Sequence, residues 1–371
     1  MTHKKLILIG IVLIIITLLI APSLCISAAA EGLLLWFNKV LPSLLPFIIL
    51  INLLVGLNML EPLSKRLSPI TRRLWDLPGS IGFTFLMGLV AGYPMGAKII
   101  KQLVAEKSIS LSQGEKALCF CNNCGPLFII GTVGTMLLEN TAIGYFLLFI
   151  HILSATLLSL LLSGYKVTAL PPQSHLTRSA SDFQFAPAFT KAVENGMDTI
   201  VCVGGYIIFF SVLTKILTSS MVFEALLNLP PLKLLPNNMA QGILTGILEL
   251  SNGVGALSKS YLSNPSMYPL ALLAFSINFG GFCVYFQTLY VLGDIPFSTK
   301  PYLLCKLLQA TLSFLLTCTL YPLFSMYTQG TNLQISFTWL ITTLLFLPVI
   351  YIIIKNYTNK KTSLHEVVYK N

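Results

Sequence analysis

Charge is what this chain has least of. Only 10% of its 371 residues are Asp, Glu, Lys or Arg, where a soluble globular domain carries about 25%. That scarcity excludes an ordinary water-soluble domain. Acids are the rarer sign, 13 against 23 bases, which leaves few carboxylates to hold ribose hydroxyls. Histidine is nearly missing, and neither a catalytic dyad nor a nucleophile motif stands out, so we expect no enzyme. The eight cysteines all lie in apolar stretches, which argues against a disulfide framework, since a buried free Cys behaves as a small hydrophobe. Cys119, Cys121 and Cys124 have a spacing that suits a thiolate metal site. With no histidine or fourth cysteine nearby, packing is the better reading, and we expect no metal or other cofactor.

What is present is apolar length. Leu6 to Ala30 run without a charge, longer than the roughly 20 residues a spanning helix needs. The chain therefore reads as a polytopic, all-α protein of the cell membrane. His3, Lys4 and Lys5 precede that run, and Ala28-Ala29-Ala30 resembles a signal-peptidase site, but the run exceeds a usual signal core, which favours a retained helix. The net charge of +10 does not point to nucleic acid. The bases sit in short loops and at the ends, where they set topology. The chain is expected to emerge near Glu31 and to return through a second span, about Leu34 to Leu60, to a loop with Lys65, Arg66, Arg72 and Arg73 that reads as cytoplasmic, as does the loop with Lys101, Lys107 and Lys116. Both termini are expected in the cytoplasm.

Two stretches organise the rest. Ala91-Gly92-Tyr93-Pro94-Met95-Gly96-Ala97-Lys98 is answered by Phe120-Cys121-Asn122-Asn123-Cys124-Gly125-Pro126. In lipid an unsatisfied backbone group costs several kcal/mol, so a broken helix persists only where it is buried or lines a cavity. Gly79 to Leu103 has basic residues at both ends and reads as a re-entrant hairpin with its break at Gly92-Tyr93-Pro94. Ser112 and Glu115 form a capping-box pattern that starts the next helix, about Ala117 to Leu138, interrupted at Asn122–Pro126. Ala142 to Gly164 is a return span. Lys166 to Lys191 is a polar linker. Further on come a span over Ala192 to Thr218, a proline-punctuated stretch to Asn238, and a second interrupted hairpin, Gly242 to Lys259, containing Glu249, Ser251, Asn252 and Gly253. Tyr268 to Leu292 is broken at Asn278-Phe279-Gly280-Gly281 and carries Gln287. Two plain spans follow, Pro301 to Met326 and Ile335 to Ile354. The expected total is about eight crossings and two hairpins.

The halves correspond. Phe120, Asn123 and Gly125 match Phe275, Asn278 and Gly280 at an offset of 155; Gly88 matches Gly246, and Gly96-Ala97 matches Gly255-Ala256. The expected topology inverts the second copy, as in many secondary transporters. We divide the chain into an N-terminal helix (1–33), a first repeat (34–165), a linker (166–191), a second, inverted repeat (192–330), and a final helix with a basic tail (331–371). Half-helix N-termini favour anions, and unwound carbonyls can hold a coupling ion, Na⁺ or H⁺. Tyr93, Gly96, Lys98, Asn122, Asn123, Gly125, Glu249, Ser251, Asn252, Gly253, Asn278, Gly280, Gly281 and Gln287 are the candidate substrate-binding residues, with Asn123 and Asn278 facing each other. The bland readings are that Lys98 snorkels to the surface, that Glu249 pairs for structure alone, and that the glycines serve close packing. His151 reads as a helix–helix hydrogen bonder.

With these residues assembled, the chain resembles the sporulation integral membrane protein YlbJ family, also called SpoVV, of the nucleoside-recognition or Gate-domain group. The carriers of the resemblance are Leu45-Pro46-Phe47 with Asn52-Leu53-Leu54, Leu77-Pro78-Gly79, Gly92–Lys98, Asn122–Gly134, Gly246-Ile247-Leu248-Glu249, and Phe279-Gly280-Gly281-Phe282 with Gln287. Cys124 departs from the small polar residue expected there. The resemblance implies a fold like that of the concentrative nucleoside transporters. It also implies a role in endospore formation, in moving dipicolinate, a small organic dianion, from the mother cell towards the forespore across the outer forespore membrane. A carrier of nucleosides or other polar metabolites, and a non-transporting envelope scaffold, are the alternatives. The lipid bilayer is the one certain partner, and a homo-oligomer is compatible with everything above.

Overall fold

The structure is a computed structural model and describes residues 3–57, 60–168 and 185–330. The middle of the expected linker, the last expected span and the basic tail lie outside the described residues. Every element among the described residues is a helix. Helices α1 (His3–Ile20), α2 (Pro22–Leu35) and α3 (Leu41–Gly56) open the chain, α2 and α3 being joined by a π-helical turn, Trp36–Val40. Helix α4 (Leu60–Trp75) leads to the pair α5 (Gly79–Ala91) and α6 (Met95–Ala105). Next come α7 (Leu111–Cys121), a π-helix (Leu127–Leu137) and α8 (Thr141–Leu161). The remainder holds α9 (Phe185–Thr218), the short α10 (Met221–Leu227) and α11 (Pro230–Lys233), α12 (Asn237–Leu248), α13 (Leu250–Ser263), α14 (Met267–Phe279), α15 (Gly281–Leu292) and α16 (Lys300–Gly330).

Among the described residues, five helical stretches are long and apolar enough to cross a membrane: Pro22–Gly56, Thr141–Gly164, Phe185–Thr218, Met267–Leu292 and Lys300–Ser325. A sixth results if Pro62–Trp75 and Gly79–Ala91, bent by 92°, count as one span. One of the expected eight, Ile335 to Ile354, lies outside the described residues; the rest of the difference has local causes. The chain does not turn at Glu31; helix runs unbroken from Pro22 to Gly56, and the interruption falls at Ala21, just before Pro22. The expected span Ala117–Leu138 is two short pieces. The basic segment read as a loop, Lys65–Arg73, is the helix α4. Its Thr71 and Leu74 are buried while Lys65, Arg66, Arg72 and Arg73 point outward. A run of four bases hid an amphipathic pattern.

Both expected hairpins are present. α5 and α6 fold back at Gly92-Tyr93-Pro94, where Gly92 has a positive φ of 83° that favours glycine. Gly88 and Gly96 meet across the arms, and the carbonyl of Cys121 is wedged between them so closely that a Cβ on either glycine would collide with it. α12 and α13 fold back at Glu249, and there Gly246 meets Gly253 backbone to backbone. The partner of the sequence pairing therefore shifts: Gly253 plays the part of Gly96, whereas Gly255 has open space before it. Small residues permit such close approach, which is how helices associate where lipid competes for every apolar contact.

The breaks sit where expected. α7 ends at Asn122, and helix resumes only at Leu127; α14 ends on the left-handed Gly280, φ 80°. The capping box of α7 is Ser110 with Gln113, not Ser112 with Glu115. Ser112 Oγ instead donates to the Thr168 carbonyl, and Glu115 accepts from the backbone N–H of Ser298. Both four-residue patterns fit the capping rule; the one nearer the preceding turn at Lys107 won. Each hairpin tip rests on a break. Gly92 abuts Gly125, and Gly281 abuts the last carbonyls of α12, from Gly246 to Leu248.

Candidate functional site

The breaks converge on a buried polar centre. Its hub is Lys306, on α16, 1% exposed. Lys306 Nζ donates to the Asn122 carbonyl at 2.9 Å and to Gln309 Oε1 at 2.7 Å, and lies 3.5 Å from Asn123 Oδ1. An ammonium has three donors and no acceptor, and three oxygens surround this one. The ring of Tyr93, from the first hairpin tip, lies beneath it, 5.2 Å from the nitrogen. Lys306 and Gln309 are three residues apart on one helix, so they share a face.

Gln309 Nε2 in turn donates to Asn123 Oδ1 at 3.1 Å and to Asn278 Oδ1 at 3.0 Å. The two asparagines thus do meet at the centre, through this amide rather than face to face. Each also ties down its own break: Asn123 Nδ2 donates to the Phe120 carbonyl and Asn278 Nδ2 to the Ala274 carbonyl. Asn278 Oδ1 accepts two more bonds, from His151 Nδ1 at 2.8 Å and Ser154 Oγ at 3.0 Å on α8. Since that oxygen only accepts, Nδ1 carries the imidazole proton. Tyr93 OH donates to the Asn278 carbonyl at 3.3 Å, so the first hairpin touches the second break. Asn122 Nδ2 donates to Thr288 Oγ1 and to Tyr302 OH, both at 2.9 Å, while its buried Oδ1 has no partner.

Beside the centre lies a cavity of about 70 Å³, lined by Tyr93, Cys124, Gly125, Glu249, Ser251 and Gln287 among others. Tyr93 is the residue common to the cavity and the lysine. Glu249 is buried and caps α13, its Oε2 accepting from the Asn252 N–H at 2.7 Å. That helix N-terminus is therefore already occupied by a carboxylate of the chain itself.

The chain is 28% identical over 331 residues to the sporulation integral membrane protein YlbJ of Bacillus subtilis (strain 168), an alignment covering 83% of this chain and 81% of that one. That likeness extends over most of both chains. No protein-family model matches this sequence, and no solved structure does. The apolar helices support a membrane location for this chain.

The candidate residues fall into three groups. Tyr93, Asn122, Asn123 and Asn278 build the polar centre; Gly125, Glu249, Ser251 and Gln287 line the cavity with Tyr93. Gly96, Gly253, Gly280 and Gly281 shape the hairpins and breaks, and the side chain of Asn252 points outward. Lys98 joins neither set. Its ammonium donates to the Asn195 carbonyl at 3.1 Å and Thr199 Oγ1 at 2.8 Å on α9, which clamps the first hairpin to that helix. His151 is the helix–helix bonder it was read to be. Lys306 and Gln309 went unseen because Pro301–Met326 was taken as a plain span. The signal was there: a lysine well inside an apolar run is a functional hypothesis by default.

Proposed function

We propose that this chain is a carrier that moves a small organic anion across the membrane, and that its substrate is dipicolinate, taken from the mother cell towards the forespore. The observation that carries this reading is Lys306, a buried ammonium whose described partners are all neutral, set at the meeting point of two broken helices and a hairpin tip. A cation at membrane depth without a carboxylate beside it favours an anionic guest. A dicarboxylate entering by the Tyr93–Gln287 cavity would displace Gln309 or the Asn122 carbonyl from the ammonium and take a charge-assisted bond in their place. Asn123 Nδ2 and Gln309 Nε2 then serve as donors. The substrate identity rests on the family resemblance; the anion class rests on the residues. The reading gives no role to a metal or organic cofactor, and leaves Na⁺ or H⁺ as the coupling ion.

One observation favours a second reading. Asn122 Oδ1 is a buried acceptor without a donor, and Glu249 adds an acceptor at the cavity. Acceptors suit a guest with N–H or O–H groups, such as a nucleoside or another polar metabolite. Proteoliposomes carrying the purified chain separate the readings. Labelled dipicolinate should accumulate, uridine should not, and Lys306→Met should abolish uptake at unchanged protein level. Uridine uptake with no dipicolinate uptake overturns the anion reading. Restored spore dipicolinate in a deletion strain, with no transport in proteoliposomes and no effect of Lys306→Met, points instead to a scaffold.

A further inference from the structure

The cavity beside the polar centre is too small for the guest proposed above. Its volume is about 70 Å³, where small-molecule pockets run to about 300–1,000 Å³. A dicarboxylate therefore reaches the ammonium only if part of the wall moves. The polar centre does not open into this cavity: Lys306, Gln309, Asn122, Asn123 and Asn278 are not among its lining residues. Tyr93 is, and its ring also covers Lys306 Nζ, 5.2 Å from the ring centre. That ring is the wall between the cavity and the charge.

The ring is held loosely and its backbone is held firmly. The Tyr93 hydroxyl donates to the Asn278 carbonyl at 3.3 Å, long for an O–H···O bond, which is commonest at about 2.7–2.8 Å. Its other hold on the centre is the attraction of the ammonium for the ring face. On the cavity side it has no packing partner. The turn that carries it is closed by the Met95 N–H, which donates to the Gly92 carbonyl at 2.9 Å, and Gly92 abuts Gly125. A change of side-chain rotamer moves the ring and leaves such a turn in place.

We infer that Tyr93 is a displaceable plug over Lys306, a selecting residue that competes with the guest for the ammonium. This rests on the anion-carrier reading above and adds to it the means by which weak guests are refused. Every guest must first move the ring, so every guest loses affinity by one common factor, as at any site whose binding-competent state is the minor one. A carboxylate brings a full opposite charge and two acceptor oxygens, and it binds in spite of that factor. Water and neutral polar molecules bring less than the ring already supplies, and they stay in the cavity.

The test is equilibrium binding to the full-length chain in lipid nanodiscs, with radiolabelled dipicolinate as the probe and glutarate, an open-chain dicarboxylate, as its competitor. Tyr93→Leu keeps an apolar side chain and removes the ring face. It should tighten both guests by the same factor, about 3- to 30-fold, the affinity equivalent of a cation–π contact. Tyr93→Phe keeps the ring over the ammonium and loses the bond to Asn278, so it should tighten both by less. Damage to the fold would weaken binding, so a gain separates the plug from a structural role. If Tyr93→Leu does not accumulate in the membrane, the sign of the Tyr93→Phe change decides. Lys306→Met should abolish binding with or without the ring. Weaker dipicolinate binding in Tyr93→Leu with glutarate unchanged means that the ring stacks on the guest, and overturns the plug. Unchanged or weaker binding of both guests overturns it as well. Either result leaves the proposed function standing where Lys306→Met still abolishes binding. Absence of dipicolinate binding to the wild type, or binding that survives Lys306→Met, overturns both.

Discussion

Asn123 and Asn278 belong to different helix breaks, yet they should be energetically coupled, and the coupling should pass through one side chain. Gln309 Nε2 offers two N–H groups, one to each asparagine. The Gln309 side chain is ordered once and serves both bonds; that ordering costs up to about 1.5–2 kcal/mol of rotamer entropy. Asn123→Ala removes one anchor and loosens Gln309 on the other; Asn278→Ala does the reverse. Each single change therefore costs more than its own bond, which for interhelical bonds in lipid averages about 0.6 kcal/mol and reaches about 1.7. The double variant should cost less than the sum by about 1–2 kcal/mol, within the range seen for residues in one network. Among the described residues, Gln309 is the one side chain hydrogen-bonded to both. Repeating the cycle with Gln309→Leu should return it to additivity within about 0.5 kcal/mol. The measurement is reversible unfolding of the purified chain in mixed micelles, with uptake in proteoliposomes read in parallel. Additivity in the wild-type background, or coupling that survives Gln309→Leu, refutes the bridge.

Other consequences can be checked with single substitutions. Gly96→Ala should already strip the chain from the membrane fraction, because a Cβ there meets the Cys121 carbonyl and lies 2.9 Å from the Asn122 Cα, whereas Gly255→Ala, with nothing within 4 Å, should be neutral; immunoblotting of membranes decides. Ser110→Ala should cost about 1 kcal/mol through loss of the α7 cap, and Ser112→Ala less; the thermal midpoints of the two variants should differ in that order. Lys98→Met should lower protein level more than uptake per molecule, since its partners are on α9 and not in the polar centre. Cysteine labelling at Ser181 and Thr362 should fail from outside intact cells if the basic segments mark the cytoplasmic side.

The sequence made the breaks legible, because glycine, proline and asparagine inside apolar runs leave backbone groups that lipid cannot satisfy. Gly92-Tyr93-Pro94, Asn122–Pro126 and Gly280-Gly281 all proved to be interruptions, and Asn123 and Asn278 proved to share one polar centre. It was a poorer guide where two patterns overlapped. The α4 bases suggested a loop because charge was counted without its helical phase. Gly255 was paired with Gly96 because spacing alone cannot tell which of two nearby glycines faces the opposite arm; Gly253 does. Glu31 suggested a surface turn, but the helix runs on through Glu31 and Gly32 to Gly56, and Gly32 is used for close packing against Ser211 and Ile208 of α9. Lys306 lies in a span with no break beside it, so no backbone signal marks it in the sequence. The partner that joins the two halves came from a helix outside the matched motifs, and internal similarity cannot point to such a residue.

Under the anion carriage proposed above, the neutral surroundings of Lys306 have an electrical consequence. A carrier whose empty site holds a lone positive charge changes sign when a dianion binds, from one net positive to one net negative. Any movement that exposes that site to one face and then the other therefore displaces charge through the membrane field, in opposite directions for the loaded and unloaded forms. Each elementary charge carried across 100 mV amounts to about 2.3 kcal/mol. The voltage across the membrane then biases both halves of the cycle, and a potassium diffusion potential imposed on proteoliposomes should alter the rate of dipicolinate uptake even at equal concentrations on the two sides.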